Sequence, residues 1–367
     1  MKVLILGGTG AMGTPLAEIL ANKNFDVHIT SRKERLSARQ NLSYILGNAK
    51  DNNFLREILQ AHKWDAVIDF MSYGTEEFNS RVDMLLSGTK QYIFISSARV
   101  YSRSEVMITE QTPRLLDVCG DQEYLQTDEY ALAKARQENI LHDSCKNNYT
   151  IIRPSITYND RRLQLGVLEK ENIFYRVLHG RSIVFSRDIA DKVTTMTWGY
   201  NVAEGIAAII GQNEALSQTF HITEKNAYKW SEILDVYLDV LEQKLGKRPR
   251  VVMTDKSTSF ICGNKYQIIY CRYFNRKFDN SKISHFINES AFVDAKEGLK
   301  NCLARFLDNP EFNAINWILE AINDKAADER TPLSEIPGFK NKLLYILRYY
   351  NLEFLRKFYR FIKRCVK

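Results

Sequence analysis

The sequence predicts an α/β protein built on a doubly wound parallel sheet. The chain opens with a short apolar run that leads through a glycine-rich turn into an amphipathic segment. Apolar, strand-like runs then alternate with helix-like segments up to about residue 160, which is typical of parallel strands joined by right-handed crossovers. The 367 residues, of which 45% are hydrophobic and 26% charged, suffice for one large or two modest globular domains.

The first element is a strand, a turn and a helix in immediate succession. Residues 3–6 are apolar, Gly7, Gly10 and Gly13 follow them, and residues 15–20 are amphipathic. In a dinucleotide-binding turn, such glycines allow the tight bend and the close approach of backbone to phosphate, and the helix N-terminus attracts the anion. The spacing is G-x-x-G-x-x-G rather than G-x-G-x-x-G, and a plain tight loop is the alternative. The position between strand and helix favours a Rossmann-like cofactor turn.

The second strand, predicted at residues 25–30, ends in Ser31, Arg32 and Lys33. The end of this strand meets the adenosine ribose in a dinucleotide-binding fold. An acid there binds the 2′-hydroxyl of NAD, whereas an arginine accommodates the 2′-phosphate of NADP. Two cations and no acid favour NADP, with NAD as the alternative cofactor and solvated loop charges as the competing interpretation.

Further strands are predicted at residues 64–70, 91–97 and 149–153, with helices between them at 53–61, 76–86 and 128–138. Ligands of such sheets bind beyond the carboxyl ends of the strands. We therefore expect one crevice to receive the following residues: the glycine turn at 7–13, Ser31 and Arg32, residues 70–72, and residues 96–101.

The pattern is less regular after Pro154. Helices are predicted at 161–179, 201–210, 230–245, 291–307 and 312–326, and short strands at 220–223 and 251–253. We divide the chain into three parts: an NAD(P)-binding domain at 1–160 whose sheet is completed by segments near 195–225, a smaller and mostly substrate-binding C-terminal part at 161–330, and a linker with a basic amphipathic helix at 331–367.

The net charge of +7 is concentrated at the C-terminus. Residues 340–367 contain nine Lys or Arg and one acid, so this segment carries +8 and the rest of the chain about −1. We therefore expect no nucleic-acid partner for the protein as a whole. The tail alternates cations with apolar residues at helical spacing, which is typical of a peripheral membrane contact. Docking on its own domain, or on a partner subunit in a homodimer, is the equal alternative.

The cysteines and histidines indicate the cellular compartment and whether a metal site is expected. The six cysteines form no C-x-x-C pair, which favours reduced thiols in a cytoplasmic protein. The six histidines have no metal-ligand spacing, so no metal site is predicted. No segment reaches the roughly 18 consecutive apolar residues of a membrane span, and the first apolar run is too short for a signal peptide.

Four motifs in order resemble the short-chain dehydrogenase/reductase family, specifically its extended or atypical branch of NAD(P)-dependent epimerases, dehydratases and reductases. They are Gly7-Gly8-Thr9-Gly10-Ala11-Met12-Gly13, Ile95-Ser96-Ser97-Ala98-Arg99-Val100-Tyr101, Tyr130-x-x-x-Lys134, and Arg153-Pro154-Ser155-Ile156-Thr157-Tyr158. The resemblance extends to about residue 310.

This resemblance implies a catalytic set of Ser97, Tyr130 and Lys134. Tyrosine ordinarily has a pKa near about 10, and a neighbouring ammonium and an oxidised nicotinamide favour the phenolate. Tyr130 then exchanges a proton with the substrate oxygen, Lys134 holds the nicotinamide ribose, and Ser97 hydrogen-bonds the same substrate oxygen.

The resemblance and the strand ends together imply a cofactor-binding set. It comprises Gly7, Thr9, Gly10, Ala11, Met12, Gly13, Ser31, Arg32, Asn48, Phe70, Met71, Ser72, Ser96, Tyr130, Lys134, Pro154, Ser155 and Ile156. There are departures from the family pattern: Asn48 replaces the acid that contacts adenine, Ser102 replaces a glycine, and residues 97–100 lack the T-D-E triplet typical of nucleotide-sugar 4,6-dehydratases.

We thus expect an NADP(H)-dependent oxidoreductase that acts on a nucleotide-activated sugar. Three alternatives stay open: an epimerase that retains NAD, a non-catalytic NADP-binding module of a regulatory or RNA-associated kind, and an enzyme with a lipid-linked or steroid-like substrate.

Overall fold

The computed structural model describes residues 1–257 and 265–352. The chain forms two compact units. Unit 1 comprises Met1–Asn159, Val193–Tyr228 and Phe274–Leu299, and unit 2 comprises Asp160–Lys192, Lys229–Tyr273 and Lys300–Lys367.

Unit 1 is organised by a seven-stranded parallel sheet, which confirms the predicted fold class. In the numbering given at the end of this paragraph, the strands lie in the order β7-β6-β5-β4-β1-β2-β3 across the sheet. The order in which strands are added therefore reverses between β1 and β4, which is where ligands of open α/β sheets bind. The last strand lies within the predicted region 195–225. The strands are β1 Lys2–Leu6, β2 Asp26–Ser31, β3 Leu42–Leu46, β4 Trp64–Asp69, β5 Thr89–Ile95, β6 Tyr149–Pro154 and β7 Gln218–Ile222.

The strand β3 is missing from the sequence prediction. It pairs with β2 at the edge of the sheet, and only Leu42 of its five residues is buried. An edge strand with one covered face needs no continuous apolar run, so the pattern that identifies the central strands is absent here.

Helices cover both faces of this sheet. Leu16, Leu20, Val202 and Ile206 belong to the core on one face, while the opposite face is covered by Leu55, Leu59, Phe78 and Leu85 among others. The helices are Gly13–Asn22, Asn52–Ala61, Thr75–Asn79, Val82–Ser87, Leu115–Val118, Gln122–Leu125, Tyr130–His142 and Gly199–Ile209. Short strands of unit 1 also occur at Ile156–Tyr158, paired with Met196–Trp198, and at Val193–Thr194.

The predicted helix at 76–86 is two helices in the structure. The buried Arg81 lies at the break, and its Nε donates to the Glu77 carbonyl at 2.8 Å. That carbonyl would otherwise accept the backbone N–H of residue 81 in a continuous helix, so the side chain replaces a helical hydrogen bond.

Unit 2 is assembled from short pieces. The predicted helix at 161–179 is wrong over most of its length, because Gly166 at φ +62° forms a turn between Gln164–Leu165 and the antiparallel Leu168–Glu169. Ile183–Ser186 pairs in parallel with Val251–Thr254. Its helices are Phe174–Leu178, Arg187–Ala190, Trp230–Leu245, Lys265–Gln267, Trp317–Ala327 and Gly338–Tyr349, and Ala295–Asp308 contributes residues to both units.

A buried group of charges, here named the Arg176 cluster, organises unit 2. The Nη1 of Arg176 donates to Glu320 at 2.8 Å and to Asp324 at 2.6 Å, and Nη2 donates to Glu329 at 2.8 Å. Glu329 belongs to the segment 328–337, which lies in the stretch 328–338 that its prolines, Pro332 and Pro337, predict as a linker. That segment is instead part of the core of unit 2, with Ile336 only 1% exposed.

The first part of the basic tail is docked on unit 2. The buried Tyr345 of helix Gly338–Tyr349 donates its hydroxyl to Asp324 at 2.6 Å. The rest of the predicted amphipathic helix, residues 353–367, lies outside the described residues. Over the described ranges, the helices are all too short or too polar to traverse a bilayer.

Candidate active site

The glycine turn, residues 7–13, has the geometry that its sequence predicts. Gly7 adopts φ +68°, and a Cβ placed there would lie 2.6 Å from Sδ of Met71. A Cβ on Gly13 would lie 2.5 Å from the Cα of Gly8, so this glycine allows helix and turn to approach closely. Around Gly10, by contrast, a Cβ would meet nothing among the described residues within 4 Å. The turn is therefore tightly packed on the inside and open at its tip.

Gly199 supports this turn and is missed by the sequence analysis. It begins the helix Gly199–Ile209, and a Cβ on it would lie 2.2 Å from the carbonyl oxygen of Ala11. The N–H of Gly7 also donates to Oγ1 of Thr30 at 3.0 Å. A glycine at the start of an apolar helix was the available sequence signal.

The N-terminus of helix Gly13–Asn22 fits a phosphate group. Met12 stands at its N-cap position, and within the described part of the chain no side chain caps it and no acid lies in its first turn. The Thr14 N–H donates to the Gly10 carbonyl at 3.2 Å and Pro15 has no N–H, so it is the positive end of the dipole of this ten-residue helix, together with the open space at Gly10, that suits a pyrophosphate. Thr9, Ala11 and Met12 are each partly exposed and lie beside this opening.

Cations dominate the segment after β2. The hydroxyl of Ser31 is occupied, since it donates to the Lys33 carbonyl at 2.7 Å. Arg32, Lys33 and Arg35 are exposed, so the structure adds a third cation to the two that the sequence analysis identified. The amide oxygen of Asn48 accepts the backbone N–H of Lys50 at 3.2 Å.

The carboxyl end of β4 carries a buried acid that the sequence analysis also missed. Asp69 accepts the Met71 N–H at 2.9 Å and the Tyr92 hydroxyl at 2.9 Å, and burial raises its pKa. Next to it, the Phe70 N–H donates to the Leu6 carbonyl at 3.0 Å. Ser72 is exposed. An acid that ends an otherwise apolar strand was the sequence signal.

Lys134 lies on the helix Tyr130–His142, here named the Tyr130 helix, and is 2% exposed. Its Nζ donates to the Ile95 carbonyl at 2.8 Å and lies 4.4 Å from the ring centroid of Phe94. Burial lowers the pKa of Lys134 to about 8, although the carboxylates of Asp69 and Glu138 oppose this shift. The ammonium is therefore anchored at the carboxyl end of β5 in a desolvated position.

Tyr130 begins the same helix and is 40% exposed, so this residue is not enclosed in the core. Glu129 caps this helix, because its carboxylate accepts the Ala131 N–H at 2.9 Å. The Tyr124 hydroxyl donates to the same carboxylate at 3.1 Å. One helical turn separates Tyr130 from Lys134, which places both on one face.

Ser97 follows β5 and is buried. Its Oγ accepts the Arg99 N–H at 3.2 Å, which leaves the hydroxyl proton available as a donor. Ser96 is engaged differently, since its hydroxyl donates to Glu138 at 2.6 Å. Of the two neighbouring serines, Ser97 is the one whose hydroxyl proton the hydrogen bonds among the described residues leave available.

Ser96 belongs to a second buried group of charges, here named the Glu138 cluster. Arg153 donates to both carboxylate oxygens of Glu138, at 2.8 and 2.7 Å, and Arg114 adds a bond at 3.2 Å. Burial by itself would raise the pKa of Glu138, but the two arginines and Ser96 keep it below its usual value. The cluster joins the Tyr130 helix to the ends of β5 and β6.

The residues after β6 offer backbone rather than side-chain groups. Pro154 ends this strand and is buried. The Ser155 hydroxyl donates to the Thr195 carbonyl at 2.8 Å, and Ile156 pairs with Met196. In the part of the chain that the structure describes, no three His, Cys, Asp or Glu side chains are grouped to hold a metal.

Comparisons with known proteins agree with this architecture. A family model described as NAD(P)H-binding matches residues 7–195, just over half of the chain. The chloroplast stem-loop binding protein of 41 kDa b from Arabidopsis thaliana is 25% identical over 236 residues, which cover 60% of this chain and 58% of that protein. UDP-glucose 4-epimerase from Neisseria gonorrhoeae is 27% identical over 170 residues, which cover 39% of this chain and 48% of the enzyme. The chain thus spans about half the length of these curated relatives.

Among solved structures, the Bordetella bronchiseptica enzyme WbmH in complex with NAD+ superposes with a TM-score of 0.64 at 15% identity. The match covers 84% of this chain and 99% of that one. At this identity the likeness shows a shared fold.

Proposed function

Since this chain belongs to the NAD(P)H-binding family, with the fold of the extended short-chain dehydrogenase/reductases, we propose that it is an NADP(H)-dependent oxidoreductase that acts on a nucleotide-activated sugar. One observation carries this proposal. Ser97 and the Nζ of Lys134, which donates to the Ile95 carbonyl, lie at the carboxyl end of β5 in the sheet that also presents the glycine turn, and Tyr130 lies one helical turn before Lys134, which supports the proposed roles.

The chemistry divides between the cofactor and these side chains. A bound nicotinamide supplies or accepts the hydride. The hydroxyl of Tyr130 gives its proton to the substrate oxygen in reduction and recovers it in oxidation. Ser97 donates its free hydroxyl proton to the same oxygen and stabilises charge there. Lys134, held by the Ile95 carbonyl, supplies positive charge beneath the site.

The substrate class is supported by the curated relative that is a UDP-glucose 4-epimerase. Reduction of a keto-sugar is the reaction that we propose, because the cations after β2 favour NADPH, which a reductase consumes. An epimerase that retains NAD is the alternative within the same site.

An assay distinguishes these two reactions. We expect the purified protein to oxidise added NADPH in the presence of a UDP- or dTDP-linked keto-sugar. The oxidation is measured as the loss of NADPH absorbance at about 340 nm. Protein that carries bound NAD and interconverts UDP-sugars without added cofactor would instead establish the epimerase.

The proposed NADP preference depends on Arg32 and Lys33. Replacing Arg32 with Ala removes one charge-assisted hydrogen bond to the 2′-phosphate and should weaken NADPH binding about tenfold. NADH binding should change by less than about twofold, because NADH has no phosphate there. Arg39→Ala is a matched control, since Arg39 lies in the same segment but donates to Asn22 at 2.6 Å. Equal effects on both cofactors in Arg32→Ala would contradict the preference.

A second candidate is a non-catalytic NADP-binding module that associates with RNA. The observation that favours it is the match to the chloroplast stem-loop binding protein. We favour the enzyme, because Ser97, Tyr130 and Lys134 are all present and a binding module needs none of them. A gel-shift assay with stem-loop RNA, with and without NADPH, separates the two: the enzyme proposal predicts no complex at micromolar protein.

We also propose a peripheral membrane contact through residues 340–367, in an otherwise cytoplasmic protein. Phe339 is 81% exposed beside Lys340, and the sequence of the tail is strongly basic. Ending the chain after Leu352 keeps the docked Tyr345 and removes most of the cations. The full chain should pellet with vesicles that contain about 30% phosphatidylserine, and the shortened chain should not; equal pelleting would contradict the contact.

A further inference from the structure

Arg99 contacts both Ser97 and Tyr130, although neither the motif nor the family resemblance assigns it a role. It lies on the single 3-10 turn Ala98–Val100, directly after Ser97. Its backbone N–H is the donor to Oγ of Ser97, and its guanidinium carbon lies 5.2 Å from the ring centroid of Tyr130. One residue thus contacts two members of the catalytic set.

The guanidinium is held in place rather than solvated. Its side chain is 18% exposed and forms an ion pair with Glu129, the residue directly before Tyr130. Its Nε is buried and has no hydrogen-bond partner among the described residues. The ring face of Tyr130 is therefore one of the groups that compensate this partly desolvated cation, as in other cation–π contacts.

We propose that Arg99 is a positioning residue that orients the ring of Tyr130 and stabilises its phenolate when the proton leaves for the substrate oxygen. The inference rests on the proposed function, which makes Tyr130 the acid/base group. In the step concerned, the O–H bond of Tyr130 breaks, the proton passes to the substrate oxygen and the electron pair stays on the phenolate.

The charges around Tyr130 support a net stabilisation. Arg99 approaches from the turn after β5, Glu129 from the preceding residue, and Lys134 from one turn further along the helix. Because the pKa of Lys134 is lowered to about 8, below the ordinary pKa of a tyrosine, Arg99 is the cation that remains charged against the Tyr130 ring when the phenolate forms. The carboxylate of Glu129 is also shared, because Tyr124 and the Ala131 N–H both donate to it.

Direct titration of Tyr130 tests this without any turnover. The chain has 19 tyrosines, so the absorbance near 295 nm of the Tyr130→Phe protein is subtracted from that of the intact protein as pH is raised, which isolates one phenolate. The same subtraction is made between Arg99→Met and Arg99→Met/Tyr130→Phe. We expect the midpoint to rise by about one pH unit in Arg99→Met, and by less in Arg99→Lys, which keeps the charge.

Arg103→Met is the matched control. Arg103 lies four residues on, forms an ion pair with Glu105 and contacts the Phe274 ring at 5.4 Å, but Tyr130 is not among its contacts. Its removal should leave the midpoint unchanged. An unchanged midpoint in Arg99→Met, in protein whose melting temperature and NADPH binding match the intact chain, would overturn the inference.

Kinetics provide a second test and separate this inference from the proposed function. In the direction of reduction, where Tyr130 must be protonated to act, Arg99→Met should move the alkaline limb of the kcat/KM profile to higher pH, and Arg99→Lys should restore part of the original profile. A merely structural arginine would lower kcat/KM equally at all pH values, which would contradict the inference. A shifted phenolate midpoint in a protein that turns over no nucleotide-sugar would refute the proposed function and leave the role of Arg99 intact.

Discussion

The Glu138 cluster of unit 1 and the Arg176 cluster of unit 2 are built from the same charges in opposite proportion. In the first, one carboxylate receives two arginines. In the second, one arginine serves three carboxylates. Together with burial, the ratio of charges decides how each cluster responds to pH.

Both central glutamates are fully buried, yet their pKa values move in opposite directions. Burial opposes ionisation of Glu138, but Arg153 and Arg114 overcome it and lower the pKa. Burial raises the pKa of Glu320 to about 7, and the neighbouring charge of Asp324 adds to this, although Arg176 and Arg181 oppose it. In the same cluster Arg176, Thr331 and Tyr345 all donate to the buried Asp324 and hold its pKa below the usual value, so the donors that each buried carboxylate receives decide whether it is stabilised as an anion.

The clusters also differ in what they hold. The Glu138 cluster fixes Ser96 and the Tyr130 helix, next to the candidate catalytic groups. The Arg176 cluster fixes the segment 328–337 and, through Asp324, Tyr345 of the tail. We therefore expect damage to the first to affect turnover and stability together, and damage to the second to affect chiefly the stability of unit 2.

The largest effect is expected from Arg176→Met, because it removes the cation that three carboxylates share, two of which, Glu320 and Asp324, are fully buried. The free energy of unfolding should fall by about 5 kcal/mol, measured by urea denaturation. The exposed Arg187, paired with Asp255, is the control, and Arg187→Met should cost less than about 1 kcal/mol. A loss below 1 kcal/mol for Arg176→Met would show that the cluster is not structural.

Glu138→Gln should cost less, about 3 kcal/mol, since the amide keeps one acceptor for Arg153 while the charge is lost. It should also lower kcat, because Ser96 and the Tyr130 helix lose their common anchor. Full activity in a destabilised Glu138→Gln protein would contradict the proposal that the Glu138 cluster positions the catalytic residues.

The smallest effect concerns pH and the Arg176 cluster. The folded pKa of Glu320, about 7, exceeds its usual 4.5, so the folded state binds more protons between these values and stability from this group falls as pH rises. Relative to the Glu320→Gln protein, the free energy of unfolding of the intact protein should fall by roughly 2.5 kcal/mol as pH rises from 4.5 to 7.

Glu138 sharpens the comparison, because its lowered pKa gives the opposite pH dependence of stability. Its contribution to the free energy of unfolding is present above pH 4.5 and is lost as pH falls. When the free energy of unfolding is measured at several pH values, the difference between the intact protein and Glu138→Gln should therefore change with pH in the opposite direction to the difference between the intact protein and Glu320→Gln. Parallel slopes would refute the role assigned to charge ratio.

The sequence predicted unit 1 better than unit 2 for a physical reason. Central parallel strands are buried on both faces, so continuous apolar runs identify β1, β4 and β5, and glycine spacing identifies the turn. In unit 2, elements of two to five residues such as Gln164–Leu165 have no period to detect. The linker prediction for 328–337 failed because its prolines and acids are typical of exposed loops, whereas Glu329 is paired with a distant arginine.

The candidate site divides in the same manner. Ser97, Tyr130 and Lys134 stand in short motifs and were named from the sequence. Asp69 and Gly199 carry only weak local signals, and their partners Tyr92 and Ala11 lie far along the chain. Arg99 has no local signal, because its contact with Tyr130 joins segments about 30 residues apart. The roles of the named residues remain predictions that experiments must test.

Replacement of Tyr130 with Phe tests the central claim most directly. If Tyr130 is the acid/base group, kcat should fall by about 1,000-fold while NADPH binding changes by less than about twofold, because only the phenolic oxygen is removed. Tyr350→Phe, a half-exposed tyrosine of unit 2, should retain full activity. A Tyr130→Phe protein that turns over nucleotide-sugar at the rate of the intact protein would contradict the account.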